Sequence, residues 1–263
     1  MCVQALAANG AKVYICGRTE EKLTTVAETF GKDIPGQIIP ITADITSKDD
    51  VARLAKEIGS KEKCLCVLIN NAGIVSSSQA PKGETGEDFK QNLFEDETAN
   101  YENWAAEYKA NVTQLYMMTT AFLPLLEAAT EHNPGYSGTV VNITSISGSV
   151  AKSQGHFSYN ASKGAANHVT KLLAAEVANH GMKVRINAIA PGVFPSEMTT
   201  NGSDEQQKSR IPKEKYEHLP ARRAGRDQDM ANAVLFCVTN QYLQGQVLPV
   251  DGGYLMKFGQ LSL

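Results

Sequence analysis

The sequence predicts an α/β fold built on a doubly wound parallel sheet, and three observations carry that prediction. Short apolar, β-branched runs alternate with amphipathic helical stretches at the spacing of β-α-β units. The runs end in small or polar turns, at the strand ends where such sheets bind ligands. The 263 residues are 42% hydrophobic and 20% charged, enough for a full core and unlike a disordered chain. One domain over residues 1–263 is expected.

Residues 1–9 carry an Ala- and Leu-rich helical pattern, and Gly10 stands where such a helix stops. Residues 12–16 read as a buried strand. In the turn Gly17-Arg18-Thr19 that follows, Thr19 can cap a helix with Glu20 and Glu21 in its first turn. Strand 37–41, amphipathic helix 49–59 and strand 64–70 come next, the last running into Asn70-Asn71-Ala72-Gly73. Residues 76–100 interrupt the alternation with an acidic, polar stretch that reads as a solvated insertion. A long helix at 101–129 has Asn111 in its middle, where Asn is a poor helix former.

Strand 139–144 leads through a small-residue loop into a helix carrying Tyr159. Residues 183–190 are another buried strand, ending in Pro191-Gly192, and the polar residues 200–219 read as a mobile lid. Phe194, Met198 and Tyr216, near that lid, are core, rim or substrate contacts. Helix 228–239 and strand 246–250 close the pattern before Asp251-Gly252-Gly253.

A net charge of −3 offers no basic footprint for nucleic acid. No run approaches the ~18 apolar residues of a membrane span, and the first residues lack a basic region followed by an apolar signal core. Five cysteines without a spaced framework suggest reduced thiols and a cytoplasmic location. Cys64 and Cys66 alternate along an apolar run and are expected as buried core thiols; no metal site is expected.

The stretch from Ser145 to Lys163 carries the chemistry. Tyr159 and Lys163 are four residues apart and share a helix face. A free phenol titrates near pH ~10, and a fixed positive charge beside it favours the phenolate. Ser145, at the end of the preceding strand, can hydrogen-bond the substrate oxygen that shares the proton. A Tyr-x-x-x-Lys pair is by itself weak, arising in roughly one chain in two by chance. Here only one of nine tyrosines has it, after a strand-loop serine and within a helix of small residues.

That stretch resembles the active-site segment of the short-chain dehydrogenase/reductase family, in which Ser, Tyr and Lys assist hydride transfer to or from a nicotinamide. The loop from Ser145 to Tyr159 is one residue longer than the family's usual spacing, which leaves Thr144 and Ser147 as alternatives for the serine role. The resemblance implies a Rossmann-like fold and a carbonyl or secondary alcohol substrate. It also implies a homodimer or homotetramer. Asn111, on sequence alone either a surface residue or a functional one, would hold a water of the proton relay at a local helix distortion.

The turn after residues 12–16 bears on the cofactor. An acid at such a turn binds the ribose hydroxyls of NAD, whereas an Arg accommodates the extra phosphate of NADP. This chain has Gly17-Arg18 and no acid until Glu20. Arg18 is read as a phosphate partner and the cofactor as NADP(H), the alternative being a solvated turn residue. By resemblance, Asp44 and Ile45 would contact adenine, and Asn70, Ala72 and Gly73 would line the ribose-phosphate path. Tyr159 and Lys163 would also meet the cofactor, while Pro191, Gly192 and Ser196 would hold the nicotinamide amide. The wording Pro-Gly-x-Phe-Pro-Ser-x-Met-Thr from Pro191 to Thr199 is similar to members described as 3-oxoacyl or rhamnolipid-type reductases.

The family's first strand and glycine-rich loop are not found in the sequence. The strands at 12–16 and 64–70 are therefore expected to lack a shared neighbour, with unpaired ladder groups between them. Two readings follow: an NADP(H)-dependent reductase or dehydrogenase, or a truncated, non-catalytic chain that survives by pairing with an intact subunit.

Overall fold

The computed structural model describes residues 1–200 and 202–261. Their strands are β1 (Lys12–Gly17), β2 (Gln37–Thr42), β3 (Val67–Asn70), β4 (Gly138–Ile143), β5 (Val184–Pro191) and β6 (Val247–Val250). The first helices are α1 (Cys2–Ala8), α2 (Glu20–Phe30), α3 (Lys48–Lys61), α4 (Gly86–Leu93) and α5 (Tyr101–Tyr108). They continue as α6 (Gln114–His132), α7 (Phe157–Asn179), α8 (Glu197–Thr200), α9 (Asp227–Thr239) and α10 (Tyr254–Phe258). Every strand pairing is parallel, so the fold is the expected α/β class with helical crossovers.

The strands form two hydrogen-bonded pieces rather than one sheet, β1-β2 and β3-β4-β5-β6. This is the gap expected from the lack of a shared neighbour for the strands at 12–16 and 64–70: among the described residues no strand bridges β1 and β3, and each pairs on one side only. Burial follows the pairing. β4 and β5, with neighbours on both sides, are buried almost throughout, whereas β1 and β3 are half-buried over much of their length.

Alternation along the strands sorts two cores. Val140 and Ile186 join α3, α6 and α7 through Leu54, Ile58, Phe122, Leu126 and Val177. Val141 and Ile189 face the other way, onto Met230, Val234 and Cys237 of α9, with Leu6 of α1 alongside. A buried polar network crosses the first core. Asn70 and Asn142 are paired across β3 and β4, and the Asn70 amide donates to Asn142 Oδ1 at 2.9 Å and to Thr119 of α6 at 3.2 Å. Asn142 Nδ2 in turn donates to Thr170 of α7 at 2.8 Å.

Three local expectations change. The helix read at 101–129 is divided: a π-helical turn at Lys109–Thr113 separates α5 from α6, which runs on to His132. β3 starts at Val67, so Cys64 and Cys66 precede it. Cys64 is half-buried and Cys66 exposed rather than core thiols, because both lie ahead of Val67, the first residue of the strand proper. Thr19 occupies the N-cap of α2 but makes no side-chain capping bond. The 76–100 stretch contains α4, opened by a Thr85–Asp88 capping box.

The network makes a stability prediction. Asn142→Leu leaves the buried Asn70 amide short of an acceptor, and should cost about 2–3 kcal/mol with an unchanged m-value in urea unfolding.

Candidate active site

The candidate residues follow strand ends. Arg18 follows β1, Asp44 lies just beyond β2, Asn71 to Gly73 leave β3, Ser145 lies just beyond β4, and Pro191-Gly192 ends β5. One contact joins the two sheet pieces at these ends: Lys22, at the start of α2, pairs with Glu197 of α8 at 2.7 Å.

Asn111 sits in the π turn, 1% exposed. Its Oδ1 accepts from the Ile74 amide at 2.8 Å, while Nδ2 donates to the Ile74 carbonyl at 2.9 Å and to Ser162 Oγ at 3.0 Å. The π turn falls at this residue, an irregularity frequent within helices at functional sites. Gly73 completes the contact. A Cβ there would stand 2.8 Å from Asn111 Oδ1 and 3.3 Å from Lys163 Nζ, so the loop after β3 passes between those groups only as glycine.

Tyr159 lies in the first turn of α7, half-buried, and the Ser145 hydroxyl acts on its phenol. Lys163 Nζ is 5.6 Å from the Tyr159 ring centre and donates to the Ile143 carbonyl at 3.3 Å. Gly148 lets the turn after Ser145 lie directly on the α7 backbone, since a Cβ there would be 2.5 Å from the Lys163 carbonyl carbon. Of the three serine candidates, Ser145 reaches the phenol; Thr144 donates to the Ile189 carbonyl and Ser147 to Gln154.

The electrostatics differ from the sequence expectation in one respect. Lys163 was expected to draw the Tyr159 phenol down; instead burial dominates and holds the phenol above its ordinary value, opposed by the Ser145 hydrogen bond. Burial also pushes the Lys163 ammonium down from 10.5 to about 8. Asp44 is held below the usual carboxylate range, chiefly by the Thr46 amide and hydroxyl, with Arg18 and Lys109 adding to the effect.

Arg18 is exposed and Ile45 half-buried against the first core. Ser196 opens α8, its amide and hydroxyl engaged with Thr199. Phe194 is buried, Met198 exposed, and Tyr216 packs with Leu219 and Tyr254. Residue 201, within the expected lid, lies outside the described residues.

Sequence reasoning missed two contributors. Gln154 accepts from Ser147 at 3.1 Å and donates to Tyr254 at 2.6 Å, tying the loop between Ser145 and Tyr159 to α10; nothing local signals that contact. Glu107, one turn before Asn111, is fully buried and accepts from the Ser76 amide and hydroxyl at 2.5 and 2.8 Å. Its helical spacing from Asn111 was the available signal.

Lys163 gives this site a measurable cost. With a folded value of about 8 against 10.5, its buried charge costs about 3 kcal/mol below pH 8, and the cost disappears as pH rises toward 10.5. Lys163→Met should therefore melt higher than wild type at pH 7, with the difference shrinking between pH 8 and 10.5.

A family profile described as enoyl-(acyl carrier protein) reductase matches residues 1–255. The short-chain dehydrogenase/reductase PhomF′ of Diaporthe leptostromiformis is 34% identical, over 97% of this chain and 86% of its own. The rhamnolipids biosynthesis 3-oxoacyl-[acyl-carrier-protein] reductase of Pseudomonas aeruginosa is 30% identical, over 97% and 90%. The structure of the Pseudomonas aeruginosa RhlG/NADP active-site complex superposes with a TM-score of 0.78 at 29% identity, covering 96% of this chain and 90% of that one. A structure of ElxO with NADP bound gives 0.76 at 25% identity, covering 97% and 94%. With a family profile along nearly its whole length and such relatives, the protein belongs to the short-chain dehydrogenase/reductase family of oxidoreductases.

Proposed function

We propose that the protein interconverts a carbonyl and a secondary alcohol with NADP(H), the reading carried by the convergence of Ser145, Tyr159, Lys163 and Asn111 at one edge of the fold. Bound at this edge, the nicotinamide supplies or accepts the hydride. Gly73 supports the fit: only a residue without a side chain leaves the loop room to pass Asn111 and Lys163. Arg18 would pair with the 2′-phosphate, Asp44 and Ile45 would meet the adenine, and Asn70, Ala72 and Gly73 would line the ribose-phosphate path. Lys163 would bind ribose, and Pro191, Gly192 and Ser196 would hold the carboxamide. The similarity to the RhlG/NADP complex and to ElxO with NADP supports the cofactor choice.

The protein's own residues handle the proton. Ser145 orients the substrate oxygen, and the Tyr159 hydroxyl gives up or takes the proton. A phenol held above its ordinary value is protonated at neutral pH and ready to donate, which suits carbonyl reduction. Lys163 supplies positive charge below about pH 8, and Asn111 fixes the polar wall beside it. The similarity to a 3-oxoacyl reductase makes 3-oxoacyl thioesters the first substrates to try.

Tyr101, Trp104, Tyr108 and Tyr116 are exposed along α5 and α6, and Phe157 and Leu172 on α7, apolar surface that a homodimer or homotetramer would cover. Free cysteines suit a cytoplasmic location, and among the described residues no helix is long and apolar enough to cross a membrane.

Turnover tests the assignment. NADPH oxidation driven by an acetoacetyl thioester should be seen with the wild type and lost by at least ~100-fold in Tyr159→Phe, with unchanged circular dichroism. Equal rates in the two proteins contradict it.

A further inference from the structure

The polar stretch at 76–100 is given no role by the proposed chemistry, and it holds a cavity. Ser78, Ala80, Lys82, Gln91, Asn92 and Asp96 line a space of about 530 Å³, contributed by the loop after β3, by α4 and by the turn beyond it. That volume suits a small molecule. Most polar side chains of the stretch are engaged in holding it together: Gln79 with Thr98, Thr85 with Asp88, Asn92 with the Asp88 carbonyl and Asp96 with Thr98. The Ser78 hydroxyl, the Lys82 ammonium and the Gln91 amide are exposed, and among the described residues none of them has a partner. They stand together on the cavity wall with their hydrogen-bonding capacity unused.

The cavity adjoins the loop that carries the chemistry. The Gln79 amide donates to the Gly155 carbonyl at 2.7 Å, and the Ser77 carbonyl meets the His156 ring at 3.2 Å. Gly155 has a φ of 75°, and a Cβ there would stand 3.2 Å from Ser78 Oγ. The two loops therefore touch at a residue without a side chain. Gly155 precedes Tyr159 by four residues, a span of at most ~14 Å. One substrate molecule can touch both the phenol and the cavity.

Charge narrows the ligand. Glu84, Glu87, Asp88, Glu95, Asp96 and Glu97 stand on this stretch against Lys82 and Lys90, and Lys90 is already paired with Glu87 and Glu95. So acidic a surround disfavours a phosphate. Hydroxyl, ammonium and amide groups side by side suit a neutral chain of amides, each of which presents one N–H and one C=O. We propose that the cavity binds the amide-bearing, pantetheine-type arm of an acyl thioester while the 3-oxo group lies at Tyr159. Lys82 and Ser78 donate to the arm's carbonyls, and Gln91 meets an amide with both its donor and its acceptor.

This inference rests on the thioester-reduction reading above, and the experiment separates the two. NADPH oxidation would be followed with the acetoacetyl thioesters of ethanethiol, N-acetylcysteamine and pantetheine. These share the reacting ketone and differ in the number of amides along the arm. KM should fall about tenfold from the ethanethiol to the pantetheine thioester while kcat changes little, because the arm is held equally in ground and transition states. The double variant Lys82→Ala/Gln91→Ala should lose most of that difference; neither side chain holds another group in place, and circular dichroism checks the fold. Saturation-transfer NMR with S-methyl pantetheine reads the cavity without turnover, and the arm protons should respond with wild type and not with the double variant. Equal KM for the three thioesters in wild type, or a pantetheine advantage that survives in the variant, overturns the inference. If no thioester is turned over, the NMR result decides. A response lost in the variant then supports the cavity and counts against the thioester-reduction reading alone, and no response with wild type overturns both.

Discussion

The site depends on the buried amide pair of Asn70 and Asn142. It joins β3 to β4 in register and reaches Thr119 on α6 and Thr170 on α7, so four elements are fixed against one another by groups that have no water to fall back on. Apolar contacts are tolerant of small slides, whereas these bonds are directional. The register decides where the chain leaves β3 toward Gly73 and β4 toward Ser145. The Thr170 contact sets α7 along its axis and thereby places Tyr159 and Lys163. A slip at the amides would displace every catalytic candidate at once.

From that frame the site is assembled by close approach. Gly73 passes between Asn111 and Lys163, and Gly148 rests on the α7 backbone beside Lys163. Asn111, in the π turn, takes both polar groups of Ile74. Burial then acts on the chemistry, raising the Tyr159 phenol and lowering the Lys163 ammonium. The two shift in opposite directions, and the fold bears the cost of a desolvated Lys163. That is the usual trade between stability and a poised proton exchanger.

Much of this was legible in the sequence, for identifiable reasons. Strands and helices showed through periodicity, and the strand-end turns predicted the edge at which Arg18, Asp44, Gly73, Ser145 and Gly192 lie. Tyr159 and Lys163 are linked by local helical geometry, which a sequence displays directly. What escaped it was set by tertiary surroundings. The sequence reading did not single out Glu107, whose burial arises from the loop folded over it. The upward push on Tyr159 needed the enclosing walls to be known. Cys64 and Cys66 had the alternation of a buried strand, yet the ladder begins after them. The division into two sheet pieces did follow from the sequence, since nothing in the chain offered β1 and β3 a common neighbour.

The central claim is that this edge of the fold is an NADP(H) site with Arg18 at its phosphate end. Fluorescence titration of the 263-residue protein with NADPH and with NADH, repeated for Arg18→Ala, measures it directly. The account predicts NADPH binding at least ~10-fold tighter than NADH in the wild type, and a preference largely lost in the variant. Equal affinities for the two cofactors, or a preference that survives Arg18→Ala, would contradict it.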